Sequence, residues 1–372
     1  MMDEYVIVGG KKLRKGYTTG TCAAAASKAA VTMLITGKIP EKISVDTPAG
    51  IRLNVPVSDA LLEDDYAECS VIKDGGDDPD ITTGLKIFAG VKLTDSGTVE
   101  VNAGEGIGIV TLPGLKVEIG KPAINPVPMK MIHDAVFQVL PKGKGAAITL
   151  RVPGGEEIAR KTYNPKLGIV GGISIIGTKG IVEPMSEEAW KEALALELNI
   201  LVKKGFKSCV FVFGNYGEDF AINNLGIQKG RIIKISNFIG FMLDKAAEYG
   251  VESIIIAGHL GKLVKVAAGI FHTHSRIADA RMEILAAYAG LEDASTDIIR
   301  KIYACRTTGE AASIIDNEGL LKVYKRIAEN ASKRCEDHTF GKVLTGTVLF
   351  NEDNRLLCMD NAALEIIKKF DN

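Results

Sequence analysis

A change of pattern near Asn164-Pro165 predicts an α/β protein in two parts: an N-terminal α+β domain over residues 1–164 and a Rossmann-like parallel-sheet domain over residues 165–372. Three observations carry the expectation. Ahead of the change, short apolar runs with period two follow one another with few helical stretches between them. Beyond it, apolar strands and amphipathic helices alternate, as βαβ units require. The length of 372 residues also suits two domains of roughly 100–200 residues each.

In the first part, residues 21–36 are alanine-rich, with Thr21 placed to cap a helix and Gly37 to end it. Small side chains along its length imply close packing. Residues 43–46 and 51–57 flank Pro48-Ala49-Gly50 and form a hairpin. Strands follow at 67–73, 86–93, 98–101 and 147–152, with one further helix at 129–140 that Pro141 stops.

In the second part, residues 168–176 are expected to be the first strand of the parallel sheet. A helix over 186–204 follows, with Trp190, Leu194, Leu198 and Leu201 as its inward stripe. Strands at 208–213, 231–235 and 252–257 enclose a helix at 237–249, which Gly250 ends. Residues 275–289 and most of 295–335 are helical, and 343–350 with 355–359 form a closing hairpin.

Composition excludes several classes. Hydrophobic residues at 46% against 24% charged describe a folded chain and not a disordered one. Lys plus Arg number 45 and Asp plus Glu 46, so no global positive field gathers nucleic acid or an anionic membrane. Apolar runs fall far short of the ~20 residues that span a bilayer, and residues 1–16 lack a signal-peptide core, so a cytoplasmic location is expected. Six scattered cysteines without a CxxC pair are expected to be reduced.

Ligands of open α/β sheets lie outside the carboxyl ends of the strands, so the loops leaving those ends hold the candidate residues. They are Gly177 to Gly180, Gly214-Asn215-Tyr216-Gly217-Glu218-Asp219, Ser236-Asn237, and Gly258 to Lys262. Glycines admit an adenosine or amino-acid moiety close to the backbone, and Glu218 or Asp219 can accept from ribose hydroxyls. Each loop alone serves equally as a tight turn. Residues 104–108 and 168–172 fall short of a full GxGxxG between strand and helix, which argues against a dinucleotide site.

Thr18, Thr19 and Thr21 cluster at a helix N-terminus, where free N–H groups and the dipole favour an anion, although a structural cap explains them equally. His259, His272 and His274 with Asp279 and Glu283 outline a metal set. Arg276 and Arg281 offer those acids other partners, so no protein-bound metal is expected. Asp74, Asp77, Asp78 and Asp80 are better explained as a solvated turn than as a cation loop.

Four segments, GYTTGTCAAAASKAA, GIVGGISIIGTKGIVEPMSEEAW, FGNYGEDF and GKLVKVAAGIFHTHSRIADARMEI, make the chain resemble the CbiD family of cobalamin biosynthesis over residues 13–283. The resemblance implies methyl transfer from S-adenosylmethionine to carbon 1 of cobalt-precorrin-5B, a corrin precursor that carries many carboxylates. The strand exits make Gly177 and residues 214–219 the candidates for cofactor binding, and the need of such a substrate for hydroxyls, cations and a helix N-terminus makes Thr18, Thr19, Thr21, Lys262 and Lys265 the candidates for substrate binding. His259 and His274 are the candidates for acid/base or orienting roles. A sheet of this kind does not decide its cofactor, so an NAD(P)-dependent corrinoid oxidoreductase or a non-catalytic corrinoid- or cobalt-binding protein stay open as alternatives.

Overall fold

The computed structural model describes residues 4–370, and the chain divides into two compact units, one ending at Glu187 and the other beginning at Glu188. In the first unit the helix Thr19–Thr36 lies buried, and Cys22, Ala23, Ala24, Ala25, Ala26, Ala29 and Ala30 are fully inaccessible. Alanine has no side chain beyond Cβ, so strands and the helix Pro126–Phe137 approach its backbone closely. The cap is Thr18 and not Thr21: the Thr18 hydroxyl accepts from the Thr21 N–H, and Gly37 ends the helix at φ 65°. The helix therefore starts two residues earlier than expected.

The sheet beside it runs Ser58–Leu62, Ala67–Ile72, Lys86–Thr94, Gly145–Arg151, Val99–Ala103, antiparallel except for the last pair. The hairpin Lys42–Asp46 with Arg52–Pro56 forms as the turn residues dictate. All the strands foreseen before residue 152 are present.

Residues 168–176 do not form the first strand of the parallel sheet. Only Ile169–Val170 is regular, paired antiparallel with Ile109–Val110, and Ile181–Val182 pairs with Gly16–Tyr17. Glycines at positive φ, Gly168 at 67°, Gly171 at 81°, Gly177 at 133° and Gly180 at 76°, turn the chain before a ladder can extend. The segment's hydrogen bonds, such as Gly20 N–H to the Ile176 carbonyl at 3.0 Å, tie it to the N-terminal unit. The division therefore falls at 187/188 and not at 164/165.

The second unit is built on a five-stranded sheet ordered Ile232–Lys234, Ser208–Val212, Ser253–His259, Leu344–Phe350, Leu356–Met359. The first four strands are parallel and the last is antiparallel. In chain order the parallel strands read 2-1-3-4, so the winding reverses between Ser208–Val212 and Ser253–His259. Helices cover both faces. Asn215–Asn223 and Asn361–Lys368 pack through Phe220, Ala221, Ala363 and Ile366 on one side. Glu187–Lys203, Ile239–Tyr249, Leu260–Ala267 and Lys322–His338 cover the other.

The strand Leu344–Phe350 forms the expected hairpin with Leu356–Met359, and on its other side it lies inside the sheet beside Ser253–His259. Trp190 is 51% exposed, its ring edge on to Phe238 at 6.1 Å, so the buried stripe of its helix is Leu194, Leu198 and Leu201. Two helices stand where loops were expected, Asn215–Asn223 and Leu260–Ala267. The second carries its signal in Leu260, Leu263, Val264 and Ala267, spaced for one buried face. Residues 275–280 are not helical, and the helix begins at Arg281. Among the described residues no helix is long and apolar enough to cross a membrane.

Candidate functional site

The carboxyl ends of the parallel strands open on a cavity of about 770 Å³ within the C-terminal unit. Each strand contributes to it. Tyr216 follows Ser208–Val212, Asn237 follows Ile232–Lys234, His259 ends Ser253–His259, and Asn351 and Glu352 follow Leu344–Phe350. The reversal of winding sits at the Tyr216 and His259 positions, where an open sheet leaves a crevice between its two sets of crossover helices.

Lys262 and Lys265 lie on the helix Leu260–Ala267 and give the cavity its charge. Lys262 Nζ donates to Asn237 Oδ1 and to the Thr273 carbonyl. Lys265, only 3% exposed, donates to the Thr273 carbonyl at 3.2 Å and the Ala278 carbonyl at 2.7 Å. Among the described residues no carboxylate lies within 4.0 Å of either ammonium. Burial lowers both pKa values; for Lys262, Lys265 and Arg281 push the same way, and for Lys265, Asp279 opposes burial while Arg281 reinforces it. Arg281 lines the cavity too, but holds Asp279 through two nitrogens at 2.6 and 2.9 Å. An ammonium has three donors, so each lysine keeps one beyond its two carbonyl or amide partners.

His274 Nδ1 accepts the Arg276 backbone N–H at 3.1 Å. His259 stands between Tyr216, edge on at 5.8 Å, and Phe350, tilted at 4.5 Å. Burial lowers its pKa, with Glu352 pulling weakly the other way. Arg281 and Glu352 were not among the expected site residues. Asn237 lay in a flagged strand exit, whereas Glu352 was absorbed into a hairpin turn, because its strand was not recognised as part of the sheet.

Residues 214–219 leave the strand end as foreseen but as the first turns of a helix rather than a loop. Gly214 supplies no side-chain cap, so the leading N–H groups of Asn215–Asn223 are left to solvent or a ligand. Glu218, its side chain 13% exposed, is held by Lys234 at 2.8 Å, while Asp219 is exposed. Tyr216 is 69% exposed.

Gly177 lies in the N-terminal unit, where a Cβ would come within 2.3 Å of Thr18 Oγ1. The threonine hydroxyls are engaged inside that unit. Thr19 Oγ1 accepts from Ile176 N–H at 2.9 Å, and Thr21 Oγ1 donates to the Gly180 carbonyl at 2.7 Å. They clasp residues 174–180 to the start of the helix. Thr19→Val should therefore leave the Ile176 amide unpaired and cost the N-terminal unit about 1–3 kcal/mol, measured by chemical unfolding. An unchanged unfolding midpoint would mean that the clasp carries no stability.

The acidic loop is structural as well. Asp74 pairs with Arg14 at 2.6 Å, Asp80 with Lys73 at 2.5 Å, and Asp78 accepts from Met185 N–H at 2.9 Å. Among the described residues no three His, Cys, Asp or Glu side chains are grouped to hold a metal.

Comparison with known proteins brings two family models onto the chain: CbiD over residues 7–184, and CbiD, C-terminal domain, over residues 272–361. A protein of Thermoanaerobacter sp. (strain X514) named cobalt-precorrin-5B C(1)-methyltransferase is 53% identical over 92% of this chain and 94% of its own length. One of the same name from Alkaliphilus metalliredigens (strain QYMF) is 47% identical over 99% of this chain and 98% of its own. A crystal structure of the cobalamin biosynthesis protein cbiD from Archaeoglobus fulgidus matches 74% of this chain and 87% of that one at 28% identity, with a TM-score of 0.39.

Proposed function

We propose, from the premise that this chain belongs to the CbiD family, that it transfers the methyl group of S-adenosylmethionine to carbon 1 of cobalt-precorrin-5B in corrin-ring synthesis. The observation that carries the reading is the cavity at the strand ends, where Lys262 and Lys265 have no carboxylate partner among the described residues. A substrate rich in carboxylates supplies the missing counter-charges. The proposal extends to a Rossmann-like use of the sheet and to a cytoplasmic location.

S-adenosylmethionine, when bound, supplies an electrophilic methyl on sulfur that leaves a neutral thioether behind. The residues at the winding reversal fit such a group. Gly214 has open space around its Cα, the N–H groups of the helix Asn215–Asn223 lack a side-chain cap, and Tyr216 offers an exposed ring. Glu218, fixed by Lys234, is the preorganised acceptor for ribose hydroxyls, with Asp219 as the alternative. Lys262 and Lys265 would hold substrate carboxylates and so align the ring carbon for attack. His259 and His274 would orient the ring or manage a proton. Thr18, Thr19 and Thr21 would act on substrate only through the loop they fix.

Purified protein incubated with methyl-labelled S-adenosylmethionine and a cobalt-precorrin mixture should yield a corrinoid heavier by one labelled methyl in mass spectrometry. Binding of NAD(P)H without S-adenosylhomocysteine would favour a reductase. Corrinoid binding with neither nucleotide would favour a carrier.

A further inference from the structure

We infer that His259 meets the substrate as a hydrogen-bond donor through Nε2–H and does not serve as the base. The two ring nitrogens stand in different surroundings. Nδ1 is buried and has no hydrogen-bond partner among the described residues. Nε2 has no partner among the described residues either but is not buried in that way, and His259 lines the cavity, so Nε2 is the nitrogen open to a ligand.

A neutral imidazole carries its proton on one nitrogen only. With the proton on Nδ1, an N–H donor would be shut away without an acceptor, one of the rarest arrangements in folded proteins. With the proton on Nε2, the buried atom is a lone pair, an unmet acceptor that costs less, and the N–H points to the cavity. The packing therefore selects the Nε2–H tautomer. Acting as a base at Nε2 would first require the proton to move to the orphaned Nδ1, and the imidazolium would bury an unpaired N–H with a charge beside it. Burial depresses the pKa of His259 accordingly, and Glu352 only partly opposes this.

The surroundings agree with a donor. Tyr216 from one helix and Phe350 from the neighbouring strand hold the ring on two sides. The charged or titratable groups that share its cavity are Tyr216, Lys262, Lys265, His274, Arg281 and Glu352. Cations dominate that set, so the cavity offers hydrogens to an acceptor-rich, anionic ligand, and a neutral N–H belongs to the same design. The substrate contact rests on the methyltransferase reading, whereas the tautomer does not.

The test uses the full-length protein. Long-range 1H–15N correlation spectra, with His259 assigned among the five histidines by comparison with His259→Gln, should give the Nε2–H pattern at neutral pH. An Nδ1–H pattern would overturn the inference whatever the enzyme does. In methyl-transfer assays, His259→Gln keeps an amide N–H near the Nε2 position and should stay within about threefold of the parent, while His259→Phe should lose about tenfold in kcat/KM. The low-pH limb of kcat/KM should be the same in the parent and the Gln variant. A Gln variant as impaired as the Phe variant, or one that has lost that limb, would make His259 a base and sink the proposal. Should the parent transfer no methyl at all, the methyltransferase reading fails, and the spectra still decide the tautomer.

Discussion

Replacing Lys262 by methionine is expected to lower kcat/KM for the corrinoid by about 100-fold, mainly through KM, with the affinity for S-adenosylhomocysteine unchanged. Methionine keeps the length and apolar volume of the side chain, so the helix Leu260–Ala267 retains its packing. What disappears is a half-buried ammonium with Asn237 and Thr273 as its only partners among the described residues. A charge-assisted hydrogen bond to a carboxylate contributes roughly 1.5–3 kcal/mol where water is scarce, which corresponds to about 10- to 100-fold. The upper end applies because Lys265 and Arg281 reinforce the field at the same place. The dependence on ionic strength should weaken as well, since one cation fewer attracts the substrate. Steady-state kinetics on both substrates with calorimetric titration of S-adenosylhomocysteine check this. An unchanged KM would mean that Lys262 serves only to hold Asn237 and the Thr273 loop.

Gly346→Val should abolish stable folding of the C-terminal unit. Gly346 sits in the strand Leu344–Phe350 beneath the helix Asn361–Lys368, and a Cβ there would lie 2.3 Å from the Ala363 nitrogen and 2.4 Å from its Cα. Those are backbone atoms of a helix start held by Asp360, whose carboxylate also accepts from Thr347 N–H and Ser332. The helix cannot retreat without breaking that buried network. Overpacking against backbone costs more than about 3 kcal/mol, a large part of the roughly 5–15 kcal/mol that keeps a domain folded. Trp190, the single tryptophan, lies in this unit, so its fluorescence reports unfolding there. A denaturation midpoint close to that of the parent would show that the helix yields at little cost.

Much of this protein was legible without coordinates. Strands with period-two burial, such as Arg52–Pro56 and Lys42–Asp46, and a helix with a cap and a terminal glycine, Thr19–Thr36 between Thr18 and Gly37, are dictated by residues close together in the chain. So were the strand exits that became the cavity, because apolar strands alternating with helices leave few ways to wind a parallel sheet. The elements misjudged have partners far away. Residues 168–176 looked like a buried strand by hydropathy, yet Gly168, Gly171 and Gly177 at positive φ and the clasp by Thr19 and Thr21 assign them to the N-terminal unit.

By itself the sequence determined the mixed α/β class, through hydrophobic period and local capping, and the family, through four long segments that resemble it. Only the tertiary structure decided that residues 344–350 enter the sheet beside Ser253–His259, which brings Glu352 to the cavity. Only it decided that the hydroxyls of Thr19 and Thr21 are engaged within their own unit, and that His259 Nδ1 is sealed while Nε2 is open. The physical reason is the same in each case. Which atom of a residue is buried, and which donor meets which acceptor, is settled by neighbours tens to hundreds of positions away, and no local pattern encodes them.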